Sequence, residues 1–81
     1  MDQNTTVFIP VKEESKRVKE IMDEVVLALK DKGYEPISQI IGYILSGDPT
    51  YITSHKEARA LICKIERDDL LEEMIKKYLD V

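Results

Sequence analysis

Between Glu13 and Lys32 the apolar residues fall at Val18, Ile21, Met22, Val25, Val26, Ala28 and Leu29. Steps of three and four put them on one side of a 3.6-residue helix, whereas a half-buried strand would alternate. Lys30, Lys32 and then Gly33 supply the basic last turn and the glycine that end such a helix. Pro36 opens a second helix at its first turn, where the missing N–H costs nothing. Ile37, Ile40, Ile41, Ile44 and Leu45 form its stripe. Gly42 within that stripe costs about 1 kcal/mol relative to alanine, and the expected reason is close approach of another helix backbone. Gly47 ends the second helix and Pro49 prevents its continuation. Ser54 with Glu57 three residues later matches the capping box of a third helix, carried by Ala58, Leu61, Ile62 and Ile65. Glu66-Arg67-Asp68-Asp69 interrupts the pattern. Asp68 or Asp69 is expected to cap a fourth helix through Leu70, Leu71, Met74, Ile75, Tyr78 and Leu79, with a break or bend near Arg67.

Residues 1–12 differ, since "NTTVFIPVKEE" has β-branched residues, a proline and no helical period. They read as a flexible N-terminal arm, loose before Phe8 and Ile9, attached to a helical domain at 13–81. The expected fold is therefore all-α, a compact bundle of about four short helices. A chain of 81 residues buries only about 60% of its unfolded surface, so its stability needs a well-packed core, a staple or a partner. With Cys63 the single cysteine and His55 the single histidine, neither a disulfide nor a zinc site is available, and no cofactor is expected. Packing and self-association remain, and a homodimer is expected, with the second helix near its two-fold axis because Gly42 permits close contact.

Hydrophobic residues make up 43% and well-mixed charged residues 35%, which is a globular balance rather than a disordered one. The net charge of -4 and a pI near 4.9 oppose nucleic acid and anionic membranes. The opening "MDQNTTVFIP" lacks the basic start and apolar core of a signal peptide, and no apolar run is long enough to span a membrane. A cytoplasmic protein is expected.

"SGDPTY", residues 46–51, invites a catalytic or phosphate-cradling reading. A P-loop needs more glycines, a following lysine and a preceding strand, and a calcium loop needs alternating acids. Gly47, Asp48 and Pro49 instead suit a turn between helices. His55 and Cys63 stand eight residues apart, about 12 Å along a helix, so they form no thiol–imidazole pair within one chain. Asp69, Glu72 and Glu73 could imitate paired catalytic carboxylates, but acids in a first turn complement the helix dipole. No nucleophile, base and oxyanion site assemble, and the chain is read as a non-enzyme. Lys56, Arg59, Lys64 and Arg67 place the mid-chain positive charge on the third helix, either as a solvated face or as an anion site for phosphate or a phosphorylated segment. The alternative is a helix-turn-helix-like regulator binding nucleic acid through Lys56, Arg59 and Lys64, although its turn is long for that motif.

"KGYEPISQIIGYILSGDPTYITSHKEAR" followed by "IERDDLLEEMIKKYL" closely resembles the IreB regulatory phosphoprotein family of Gram-positive bacteria, from about Thr5 to Leu79. The densest agreement is at Lys32-Gly33-Tyr34, Pro36-Ile37, Gln39-Ile40, Gly42 to Tyr51, Ala58-Arg59 and Glu66-Arg67-Asp68. The resemblance implies a small helical homodimer without enzymatic activity, phosphorylated by a membrane Ser/Thr kinase that senses the envelope. It further implies a restraining role in intrinsic cephalosporin resistance, exerted through an unknown downstream protein. The family's acceptors are threonines of the arm. Thr5 falls on one, Asp2 occupies the place of the other, and Thr6 adjoins Thr5, so Thr5 and Thr6 are the expected phosphorylation sites. Cys63 departs from the family's usual arginine, which would complete a basic row with Arg59 and Arg67.

Overall fold

The computed structural model describes residues 11–81. The expected arm, its Phe8 and Ile9, and the acceptors Thr5 and Thr6 lie outside those residues. Four α-helices follow in order: α1 (Val11–Asp31), α2 (Pro36–Ser46), α3 (Ala58–Ile62) and α4 (Arg67–Leu79), with 3-10 turns at Pro49–Tyr51 and His55–Glu57. Helices three and four are separate, as expected, with a turn between them at residues 63–66.

The centre of the fold is α1, which contacts α2, α3 and α4. Its stripe is buried where the period predicts: Val18, Ile21, Val25, Ala28 and Leu29 enter the core, while Met22 and Val26 pack at its margin. Ile40 and Tyr43 of α2, Ile52 of the connector, Ala58 and Ile62 of α3, then Ile65 and Leu70 complete it. Gly33 closes α1 at φ 82°. Its N–H donates to the Lys30 carbonyl at 3.0 Å and the Tyr34 N–H to Leu29 at 2.9 Å, the paired bonds that satisfy a helix end turned by a left-handed residue. Glu35 caps α2, its carboxylate accepting from the Ser38 N–H at 2.8 Å, with Pro36 in the first turn.

Three local expectations are corrected. Ser54 makes no side-chain cap. Lys56 and Glu57 take φ 52° and 64°, so the turn that a capping box would close is not helical. Thr53 does the local work: its hydroxyl accepts from the His55 N–H at 3.2 Å, and its carbonyl accepts from the Arg59 N–H at 3.1 Å. At α4 the flanking residue is Glu66, with no side-chain cap, and Asp68 turns back to accept from the Asp69 N–H at 2.9 Å. Gly42 admits a ring and not a backbone, since a Cβ there would come within 2.4 Å of Tyr51 Cε1.

Candidate functional site

The connector that begins with "SGDPTY" is closed on itself. Gly47, at φ 74°, donates its N–H to the Tyr43 carbonyl at 2.7 Å. The Ser46 hydroxyl donates to the Gly42 carbonyl at 2.7 Å and accepts from the Asp48 N–H at 3.0 Å. One oxygen of Asp48 takes both the Thr50 hydroxyl at 2.7 Å and the Thr50 N–H at 3.0 Å. Those two bonds, the hydroxyl's first, hold the Asp48 carboxyl below its ordinary range, with a smaller contribution from Arg59. Gln39 reaches the Tyr51 carbonyl through Nε2 at 2.7 Å. The donors a phosphate would need point inward, and the turn reading stands.

Two arginines strap this connector to the helices. Arg59 Nε donates to the Ile52 carbonyl at 2.9 Å, and Arg67 Nη1 to the Ile44 carbonyl at 2.8 Å, near the open end of α2. The Arg67 guanidinium also covers Gly47, where a Cβ would approach it to 2.8 Å. Lys56 pairs with Asp31 at 3.1 Å, and the His55 ring lies 3.4 Å from the same oxygen. Hydrogen bonds from Lys56, then from His55, keep the Asp31 carboxyl below its ordinary range. Lys64 borders a cleft shared with Arg17, Glu14, Asp69 and Glu73, and its carbonyl accepts from Arg17 at 2.8 Å.

The four sequence-selected cations are therefore not one row. Because α3 ends at Ile62 and α4 begins at Arg67, Arg67 does not share the third helix with Arg59. Each guanidinium keeps donors beyond the one it spends on a carbonyl.

Cys63, His55 and Asp69 each have other neighbours. The Tyr43 hydroxyl donates to Cys63 Sγ at 3.9 Å, and desolvation, then this contact, raises the Tyr43 pKa. His55 faces Asp31 instead. The Asp69 carboxyl is raised by desolvation, then by the charges of Asp68, Glu14, Glu72 and Glu66. Among the described residues, no group of three or more His, Cys, Asp and Glu is placed to hold a metal ion.

What the periodicity missed is on the outside. On α2, Ile37, Ile41 and Leu45 are 67%, 51% and 80% exposed. Steps of four set them in one row, while the buried side chains of α2 are Ile40 and Tyr43. Leu71, Ile75 and Tyr78 form a similar row on α4, Tyr78 being 89% exposed. The signal was present: the α2 stripe is wider than one buried face requires, and a short helix has only one core to face.

The chain is an all-α domain of four helices that leaves apolar rows exposed on α2 and α4. Its sequence matches the IreB regulatory phosphoprotein family over residues 3–80, and the chain belongs to that family. It is 54% identical over 77 residues to a UPF0297 protein of Lachnoclostridium phytofermentans, covering 95% of this chain and 88% of that one. A UPF0297 protein of Acetivibrio thermocellus is 54% identical over 81 residues, covering 99% and 90%. That of Ruminiclostridium cellulolyticum is 53% identical over 81 residues, covering 99% and 92%. No helix among the described residues is long and apolar enough to cross a membrane.

Proposed function

We propose that the chain is a non-enzymatic, cytoplasmic regulatory phosphoprotein, a substrate of a membrane Ser/Thr kinase, acting in the envelope stress response and cephalosporin resistance by binding protein. The observation that carries this reading is the family match over residues 3–80, which includes the paired hydroxyls Thr5 and Thr6.

Four of the hydroxyls outside the N-terminal segment are already engaged, which supports Thr5 and Thr6 as acceptors over those four. A kinase takes an accessible hydroxyl in an extended segment. Ser46 is spent on Gly42, Thr50 on Asp48, Thr53 on His55 and Ser15 on Glu73. Phosphorylation adds about -1.5 to -2 charge and three acceptor oxygens, and the core fold is expected to persist. Arg59 and Arg67, held in place by the connector, together with Lys56 and Lys64, are proposed to meet acidic groups of a partner. The helix rows on α2 and α4 are proposed to serve a second copy of the chain and a downstream protein. The nucleic-acid alternative loses ground, because α3 has five residues, about 7 Å of helix, too little for a recognition helix.

The test is phosphate mapping. Treatment with an envelope-sensing Ser/Thr kinase should label Thr5 or Thr6, and replacement of both by alanine should abolish the label. A label confined to residues beyond 12, or one that survives the double replacement, removes the proposed switch.

A further inference from the structure

The residues leading into α3 carry two conflicting local preferences. Ser54 and Glu57 have the spacing of a capping box, in which the serine hydroxyl accepts from the Glu57 N–H and the glutamate reaches back to the Ser54 N–H. That arrangement needs an extended Ser54 followed by right-handed residues. The backbone observed is the reverse. Ser54 stands at φ -80° and ψ -5°, Lys56 at φ 52° and ψ 33°, and Glu57 at φ 64° and ψ 17°. In the left-handed region the β-carbon crowds the following carbonyl, and neither residue is a glycine, asparagine or aspartate that would tolerate it.

Asp31 is what draws the turn into this shape. Its Oδ2 lies 3.1 Å from Lys56 Nζ and 3.4 Å from His55 Nε2. It is also the last residue of α1, where the helix dipole disfavours an acid, so it gains from a cation brought alongside. The pair with Lys56 is open to solvent, the two side chains being 45% and 61% exposed, and ion pairs in that setting are weak. Two bonds to Thr53 assist, one from the His55 N–H to its hydroxyl and one from the Arg59 N–H to its carbonyl. Weak contacts thus oppose the strain of two left-handed residues, which sets the two arrangements close in free energy.

We propose that residues 54–57 form a two-state element and that Asp31 is the latch holding it in the left-handed state. With the latch released, Ser54 turns extended, Lys56 and Glu57 turn right-handed, and α3 begins at His55 instead of Ala58. The exchange stays local, because Ile52 and Ala58 on either side are fully buried and remain in the core. Glu57 is exposed, so its carboxylate can swing to the Ser54 N–H without disturbing that core. The latch also governs Lys56. An acidic partner that takes this lysine, as proposed above, competes with Asp31 and drives the exchange. That coupling rests on the partner reading; the latch does not.

Backbone resonances of the full chain test the latch. A positive φ brings a residue's Hα close to its own amide proton, so Lys56 and Glu57 should show strong intraresidue cross-relaxation in the parent. Asp31→Ala places a good helix former in α1, and should abolish both signals while bringing sequential amide contacts from His55 to Ala58. Adding Ser54→Ala, which removes the capping hydroxyl, should restore the left-handed signals. Signals that persist in Asp31→Ala would overturn the latch, as would their absence from the parent. A helical turn at residues 55–57 that survives both replacements rules out the capping box as the second state. Hexaglutamate titrated into the parent should weaken the same two signals, and should bind Asp31→Ala more tightly. Binding that leaves both signals unchanged overturns the coupling. Absence of binding to either chain defeats the partner reading at Lys56 alone, because the latch is read before any peptide is added.

Discussion

Gly42 shows how a residue can be read correctly as constrained and wrongly as to cause. Its place in a helix costs about 1 kcal/mol against alanine, and the compensation is the Tyr51 ring, not a neighbouring backbone. The two effects oppose each other in Gly42→Ala, where a propensity gain meets a ring 2.4 Å from the new Cβ. Overpacking of this kind costs roughly 1–3 kcal/mol, so the variant should be neutral to destabilised. In a Tyr51→Ala background the same change should stabilise by about 1 kcal/mol. A double-mutant cycle by urea denaturation reads the sign change, and additivity would refute the contact. Asp48 makes a pH-dependent counterpart. Its folded carboxyl is lowered, so its stabilisation is present above the ordinary value of 3.8 and is lost as pH falls through the depressed one. Asp48→Ala should therefore lower the melting temperature at pH 7, and the gap from the parent should close as the pH drops below 3.8.

At the scale of elements, helices were legible wherever their cause was local. The α1 stripe, the Gly33 stop, Pro36 at the start of α2 and the turn chemistry of Gly47-Asp48-Pro49 depend on neighbours within one or two turns. The start of α3 was not legible, because its determinants lie far along the chain. Asp31, at the end of α1, draws both Lys56 and His55, Arg59 is drawn to Ile52, and the capping box gives way to two left-handed residues. A non-glycine residue in that conformation costs roughly 1–2 kcal/mol. Glu57→Gly should recover part of it, about 0.5–1 kcal/mol after the larger unfolded-state entropy of glycine is deducted. Chemical denaturation checks this, and a destabilised Glu57→Gly would deny the strain. The basic row failed for the same reason, since it assumed one helix where a turn at 63–66 makes two.

For the whole molecule, the question is what covers the α2 row of Ile37, Ile41 and Leu45, whose side chains the 12-residue core leaves outside. A two-fold contact would bury three such residues from each copy. Each is already partly covered, so six contribute on the order of 5–10 kcal/mol, against an association cost of roughly 4–15 kcal/mol. The balance is close, and Tyr34 and Tyr51, 49% and 40% exposed, are the available extra area. A dimer held so narrowly should not survive charge at its centre. Ile41→Glu with Leu45→Glu is expected to give monomers by light scattering at micromolar concentration, with helical content unchanged because neither side chain belongs to the core. Ile75→Glu, on the α4 row, is expected to leave the mass of the parent. A parent chain that already scatters as a monomer, or a doubly charged α2 that stays dimeric, would show that this row serves another partner.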